Sequence, residues 1–159
     1  MRASIPVRRR RGLIKGCVFG FRAVISVATD VENLIEVIKE AKTQYGIEGV
    51  TYSGGEPTCQ QSLPLLTNSI KALGLGIISF TGHRYEEVSD VLKGCDMVLD
   101  GAYDCSDPEK ERRLLGSANQ RIVLLTDRYK NAVGWFKSSD IKTVEVNVGN
   151  VILANGDFF

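Results

Sequence analysis

The stretch from Gly49 to Leu73 sets a short apolar run, Gly49 to Tyr52, before two adjacent glycines, Gly54 and Gly55, and a helical pattern, Gln60 to Leu73, after them. A buried strand that turns through glycines into a helix is the repeating unit of a parallel α/β sheet, because a parallel neighbour is reached only by a crossover. The same order recurs on both sides. Asp30 reads as the N-cap of a helix on which Leu34, Ile35, Ile38 and Ala41 recur at helical spacing. Glu32 and Glu36 lie toward the positive end of its dipole, and Gly46 ends it. After Gly74 closes the second helix, Gly76 to Phe80 reads as a strand ended by Thr81-Gly82, and Tyr85 to Leu92 as a third helix ended by Gly94. Asp96 to Leu99 then reads as a strand ended by Asp100-Gly101. Alternation with connections this short predicts a mostly parallel sheet.

Outside that core the pattern is looser. Val18 to Val27 is rich in Val, Ile and Phe and reads as a first strand, while Cys105 to Ala118 is polar and reads as a loop or irregular helix. Gln120 to Leu125 is a further strand, and Thr143 to Val148 with Val151 to Ala154 form a closing β-hairpin turned at Gly149-Asn150. A chain of 159 residues fits one domain. Residues 1–16, with Arg8 to Arg11, read as a solvated basic arm, and residues 17–159 as the α/β domain.

Charge and cysteine usage narrow the functional classes. Lys and Arg together number 20 against 19 Asp and Glu, so global charge makes no case for a nucleic-acid or membrane partner. No apolar run approaches the ~18 residues that span a bilayer. Lys15 and Arg22 break the segment after the basic arm, so Met1 to Val27 does not read as a signal peptide. Cys17, Cys59, Cys95 and Cys105 are widely spaced with no CxxC pair, which points to reduced thiols and a cytoplasmic chain.

In parallel sheets, ligands sit where strands run out at their carboxyl ends. Three loops fall there: Ser53 to Pro57, Thr81 to His83, and Asp100 to Tyr103. Adjacent glycines let the backbone approach a ligand and aim N–H groups at it. Glu56 adds a carboxylate, which suits a ligand carrying an ammonium group; a phosphate loop carries Lys and Ser or Thr after its glycines, and none stands here. Asp100 reads equally as a turn cap before Gly101 or as a ligand. His83, the only histidine, reads first as a loop residue satisfied by neighbouring backbone, with proton handling as the alternative.

The run Gly49-Val50-Thr51-Tyr52-Ser53-Gly54-Gly55-Glu56-Pro57 resembles the strand and loop of radical S-adenosylmethionine activating enzymes, above all the activases of anaerobic ribonucleotide reductase. Met97-Val98-Leu99-Asp100-Gly101 and Gly116-Ser117-Ala118-Asn119-Gln120-Arg121 are similar to further segments of those activases, and Asn155-Gly156-Asp157-Phe158 is a looser likeness. The resemblance implies a partial (β/α) barrel. It also implies that Ser53, Gly54, Gly55, Glu56 and Pro57, together with Asp100, bind S-adenosylmethionine. A 4Fe-4S cluster held by three cysteines in a CxxxCxxC loop would cleave that cofactor reductively and place a radical on a glycine of a partner enzyme. The implied partners are a glycyl-radical enzyme, such as anaerobic ribonucleotide reductase, and an electron donor such as flavodoxin or ferredoxin.

The chain departs from that pattern at the cluster. Cys17 stands at the first ligand position, but Phe21 and Val24 occupy the second and third, and neither side chain binds iron. Three explanations stay open at this level: a degenerate, cluster-less homologue that binds S-adenosylmethionine or a partner without catalysis, a frameshifted or mis-started reading frame, or recruitment of Cys59, Cys95 or Cys105. Asn119, Gln120 and Arg121 read equally as structural or as partner contacts, and Trp135 with Phe136 as core or as a partner patch.

Overall fold

A computed structural model describes the backbone of residues 3–7, 30–137, 144–148 and 152–156, and the side chains of residues 30–137. The first helix, α1 (Val31–Tyr45), begins where expected: Asp30 is extended at the N-cap, and its carbonyl accepts from Leu34 N–H at 3.2 Å. Gly46 ends it in the left-handed conformation, φ 60°, and donates to the Lys42 carbonyl at 3.0 Å. After β2 (Gly49–Gly54) the chain makes one 3-10 turn, Pro57–Cys59, before α2 (Leu63–Ala72). The second helix therefore starts three residues later than its apolar pattern suggests, because Pro57 opens a separate short turn, N-capped by Glu56 and ended at Gln60. Leu63, Leu66, Thr67 and Ile70 recur at helical spacing and are the buried stripe of α2. The order continues with β3 (Gly76–Thr81), α3 (Tyr85–Leu92), β4 (Met97–Asp100) and β5 (Arg121–Leu124). A second 3-10 segment, Asp127–Ala132, then leads into the one-turn α4 (Val133–Phe136).

Strand β1 (Ala3–Val7) pairs in parallel with β2, β2 with β3, and β3 with β4, whereas β5 returns antiparallel to β4. These five strands thus lie side by side in chain order as an open, mostly parallel sheet, the α/β arrangement expected. The antiparallel β5 has a local cause: residues 101–120 form a polar loop with no crossover helix, so the chain can only double back. The expected first strand, Val18 to Val27, lies outside the described residues. Ala3–Val7, inside the segment read as a solvated arm, instead forms the edge strand. Strands β6 (Val144–Val148) and β7 (Ile152–Gly156) pair antiparallel in a separate two-stranded sheet, which agrees with the expected hairpin, although its turn residues lie outside the described set.

The two-residue period of the strands gives the sheet two unlike faces. Val50, Tyr52, Ile77 and Val98 face the helices and pack with Ile38, Leu63, Leu66, Ile70 and Leu92. Ile78, Met97 and Leu99 face the other way, under Leu115 and Phe136. Phe136 is core, and Trp135 is partly exposed, edge-on to it at 5.0 Å with the Arg113 guanidinium over its ring at 4.9 Å. At the amino-terminal foot of the sheet, Asp96 is fully buried and accepts from Ile77 N–H at 2.8 Å, Thr126 Oγ1 at 2.7 Å and Lys71 Nζ at 2.7 Å. Burial pushes its carboxyl up, yet these donors outweigh it and hold the group below the usual range. A shallow cavity of about 390 Å³ lies beside this foot, between Lys42, Glu48, Arg128 and Tyr129, away from the glycine loop.

Candidate functional site

The glycine loop leaves the carboxyl end of β2. Gly54 has φ 113°, a conformation that side chains with a Cβ rarely adopt, so the turn out of the strand needs glycine there. Ser53 and Gly55 are half-buried, Gly54 is exposed, and Pro57 is buried under the 3-10 turn. Glu56 is the centre of the arrangement. Its Oε1 accepts from Thr58 N–H at 3.1 Å, Thr58 Oγ1 at 2.7 Å and Thr81 Oγ1 at 2.8 Å, and its Oε2 accepts from Gly82 N–H at 2.9 Å. One carboxylate therefore ties the loop after β2 to the loop after β3. Burial raises the Glu56 carboxyl, but the donors from Thr58, Gly82 and Thr81 prevail and hold it below its ordinary value, so it is a carboxylate at neutral pH. Among the described residues Oε2 accepts a single hydrogen bond, which leaves it capacity for one more donor.

Asp100, the other expected cofactor ligand, is fully buried at the end of β4. Its Oδ1 accepts from Arg121 Nε at 2.9 Å with Arg84 Nη1 at 3.6 Å, and its Oδ2 accepts from Tyr85 N–H at 2.8 Å and from Arg121 Nη2. Both oxygens are thus engaged by protein donors: Asp100 joins β4 to β5 and to the first residue of α3. Burial opposes ionisation here too, and the Arg121 fork, the Tyr85 amide and Arg84 overcome it. Sequence reasoning weighed a cap against a ligand and missed this ion pair. The missing signal was register, because Asp100 stands directly across from Arg121 only when β5 runs antiparallel.

Residues 116–121 are the clasp that sets this geometry. Gln120 Oε1 accepts from Gly116 N–H at 2.7 Å while its Nε2 donates to the Gly101 carbonyl at 2.9 Å. Asn119 Nδ2 donates to the Ala102 carbonyl at 2.9 Å, and the buried Ser117 Oγ donates to Asn119 Oδ1 at 2.6 Å. Behind them Glu109 accepts from the amides of Lys110, Glu111 and Arg112, and Arg112 donates to the carbonyls of Gln120 at 2.9 Å and Ala118 at 2.7 Å. Burial raises the Glu109 carboxyl, but those amides and Arg112 bring it down to about 2. A folded-state value below the unfolded one contributes stability above the ordinary Glu range, lost as pH falls toward 2. Urea unfolding between pH 5 and 2 is accordingly expected to show a falling midpoint, and Glu109→Gln should flatten its share of that fall while lowering stability at pH 7.

His83 is exposed beside the loop pair; its amide donates to Thr81 Oγ1 at 3.1 Å, and its ring Nδ1 lies 4.0 Å from Glu87 Oε2. The ring thus neighbours a carboxylate, and it is the His83 backbone, not its side chain, that ties into the loop. The cysteines divide differently. Cys59 and Cys105 are exposed, on the turns that follow β2 and β4, and Cys95 is sealed in the core with its thiol pushed up to about 12 by burial and by Asp96. Cys17 lies outside the described residues. Among the described residues no three His, Cys, Asp or Glu side chains gather where they could hold a metal ion.

Fold and loop pair together define a mixed α/β protein whose glycine loop and Glu56 bridge sit at the carboxyl ends of parallel strands. Residues 21–123, well over half of the chain, match the family described as the 4Fe-4S single cluster domain, and the chain belongs to that family. No curated protein and no solved structure matches it. The match begins after Cys17 and takes in Cys59, Cys95 and Cys105. Among the described residues no helix is long and apolar enough to cross a membrane.

Proposed function

We propose that this chain is a radical S-adenosylmethionine activase-like protein whose loop Ser53 to Pro57 holds the methionyl end of that cofactor. The observation that carries the reading is the Glu56 bridge. Among the described residues, a half-buried carboxylate, ionised at neutral pH and locked by Thr58, Thr81 and Gly82, keeps one acceptor direction for an ammonium group beside Gly54 and Gly55. Membership of an iron–sulfur family and the matching segments around Asp100 and Arg121 support the same reading. The resemblance gives Asp100 a part in that binding; with both oxygens engaged, it serves by fixing the strand ends between which the ligand lies. The activity the resemblance carries is radical transfer to a glycyl-radical enzyme, such as anaerobic ribonucleotide reductase, with flavodoxin or ferredoxin as electron donor.

Equilibrium dialysis or calorimetry of the purified chain with S-adenosylmethionine tests the cofactor site. Binding is expected, weakened at least about tenfold by Glu56→Ala, the scale of one lost charge-assisted hydrogen bond. Gly55→Val should weaken it as well by filling the approach to the backbone. Unchanged affinity in both variants would remove the loop from the site.

A further inference from the structure

The family is defined by a cubane cluster, and the residues of this chain do not fit one. A site-differentiated 4Fe-4S cluster takes three thiolates, and the chain has four cysteines and one histidine in all. Cys95 is withdrawn at once: it has no exposed surface, packs among Tyr52, Leu92 and Val98, and its thiolate is disfavoured by burial and the neighbouring Asp96. Cys59 is tied into the 3-10 turn, its amide donating to the Glu56 carbonyl at 3.2 Å. Cys105 follows β4, beside Asp104, which caps Ser106 at 2.9 Å. Strand β3 stands between β2 and β4, which puts these two strands roughly 10 Å apart. Among the described residues, neither cysteine belongs to a group of three His, Cys, Asp or Glu side chains that could hold a metal ion. Cys17 carries Phe21 and Val24 at the spacing where its partners would stand.

An amino group that chelates iron must be unprotonated, whereas one held by protein alone stays an ammonium near neutral pH. The acceptor present here is the ionised Glu56 carboxylate, whose Oε2 accepts a single hydrogen bond among the described residues and so has a direction that matches the ammonium form.

We propose that this chain holds S-adenosylmethionine as an ammonium-bearing ligand on Glu56 and without a cluster, a member of a cluster family that binds the cofactor and does not reduce it. The proposal rests on the cofactor reading above, and its failure can be told apart from that of the reading. The full chain is treated anaerobically with iron and sulfide, desalted, and analysed for both elements, and binding of S-adenosylmethionine and of its analogue lacking the amino group is measured before and after. Substoichiometric iron and sulfide, indifferent to Cys17→Ser, are expected. Affinity for S-adenosylmethionine should be the same in the untreated and treated chain, and the deaminated analogue should bind roughly 10- to 100-fold more weakly, the range of one charge-assisted hydrogen bond. In Glu56→Gln that difference should collapse, and the wild-type comparison of the two ligands stands even if the variant folds poorly. Stoichiometric iron and sulfide that disappear in Cys17→Ser, or binding that arises only after treatment, would overturn the cluster-free proposal and leave the cofactor reading intact. Absence of binding in both states would overturn the cofactor reading itself.

Discussion

Asp100→Ala is expected to lower the unfolding free energy by about 3 kcal/mol, with the urea midpoint falling and the slope unchanged. Three losses coincide at this side chain. The Tyr85 amide at the start of α3 loses its acceptor, the Arg121 guanidinium loses the partner that positions it across β4 and β5, and a small void opens at a fully buried position. Arg121 is partly exposed and also meets Glu86 at 2.8 Å, so it can turn to water and to that carboxylate. The larger share of the cost therefore falls on the Tyr85 amide and the void. Asp100→Asn, which keeps the shape and one acceptor, should cost less than half as much. Equal losses in the two variants would mean that charge alone sustains the junction.

Gly49→Ala is expected to destabilise the chain by about 2 kcal/mol, the scale of an overpacked core position. A Cβ at Gly49 would stand 2.7 Å from the Gly76 carbonyl oxygen and 2.7 Å from Tyr129 Oη. The first contact is backbone of the neighbouring strand, so relief requires β2 and β3 to part at the register pair Gly49↔Gly76. Arg128 braces the same end of the sheet, donating to the Glu48 carbonyl at 3.3 Å and the Gly74 carbonyl at 2.9 Å. Gly134→Ala is the control: in α4, with nothing within 4 Å of the added methyl, it should be neutral or slightly stabilising. Thermal or urea unfolding of the pair decides the point, and equal stabilities would show that the foot of the sheet is compliant.

Much of the core architecture was legible because it rests on local chemistry. The apolar spacing of Leu34, Ile35, Ile38 and Ala41 and the glycine at position 46 delimit α1 whatever surrounds it, and α3 spans Tyr85–Leu92, the residues its pattern marks, with a kink at Val88. The sites were legible in residue type more than in role. Glu56 was recognisable as a carboxylate beside glycines, but its commitment to Thr81 and Gly82 depends on β3 lying next to β2, which residue order alone does not state. Trp135 and Phe136, adjacent and alike in chemistry, separate into a partly exposed ring and a buried one only once Ile78, Met97 and Leu99 need a cover.

The glycine loop marks the division most clearly. Sequence by itself determined that a strand starting at Gly49 turns through Gly54 and Gly55 toward a helix, and that Cys17 is not followed by cysteines in a CxxxCxxC run, because backbone freedom and ligand type are properties of single residues and their neighbours. Tertiary structure alone decided that the sheet stays open, that β5 turns back, that Asp100 meets Arg121, and that Cys95 is sealed among apolar side chains. Each of those depends on strand register and burial, which are set by contacts between segments far apart in the chain, where hydrophobic packing and the pairing of buried charges choose among arrangements that local propensity leaves equal.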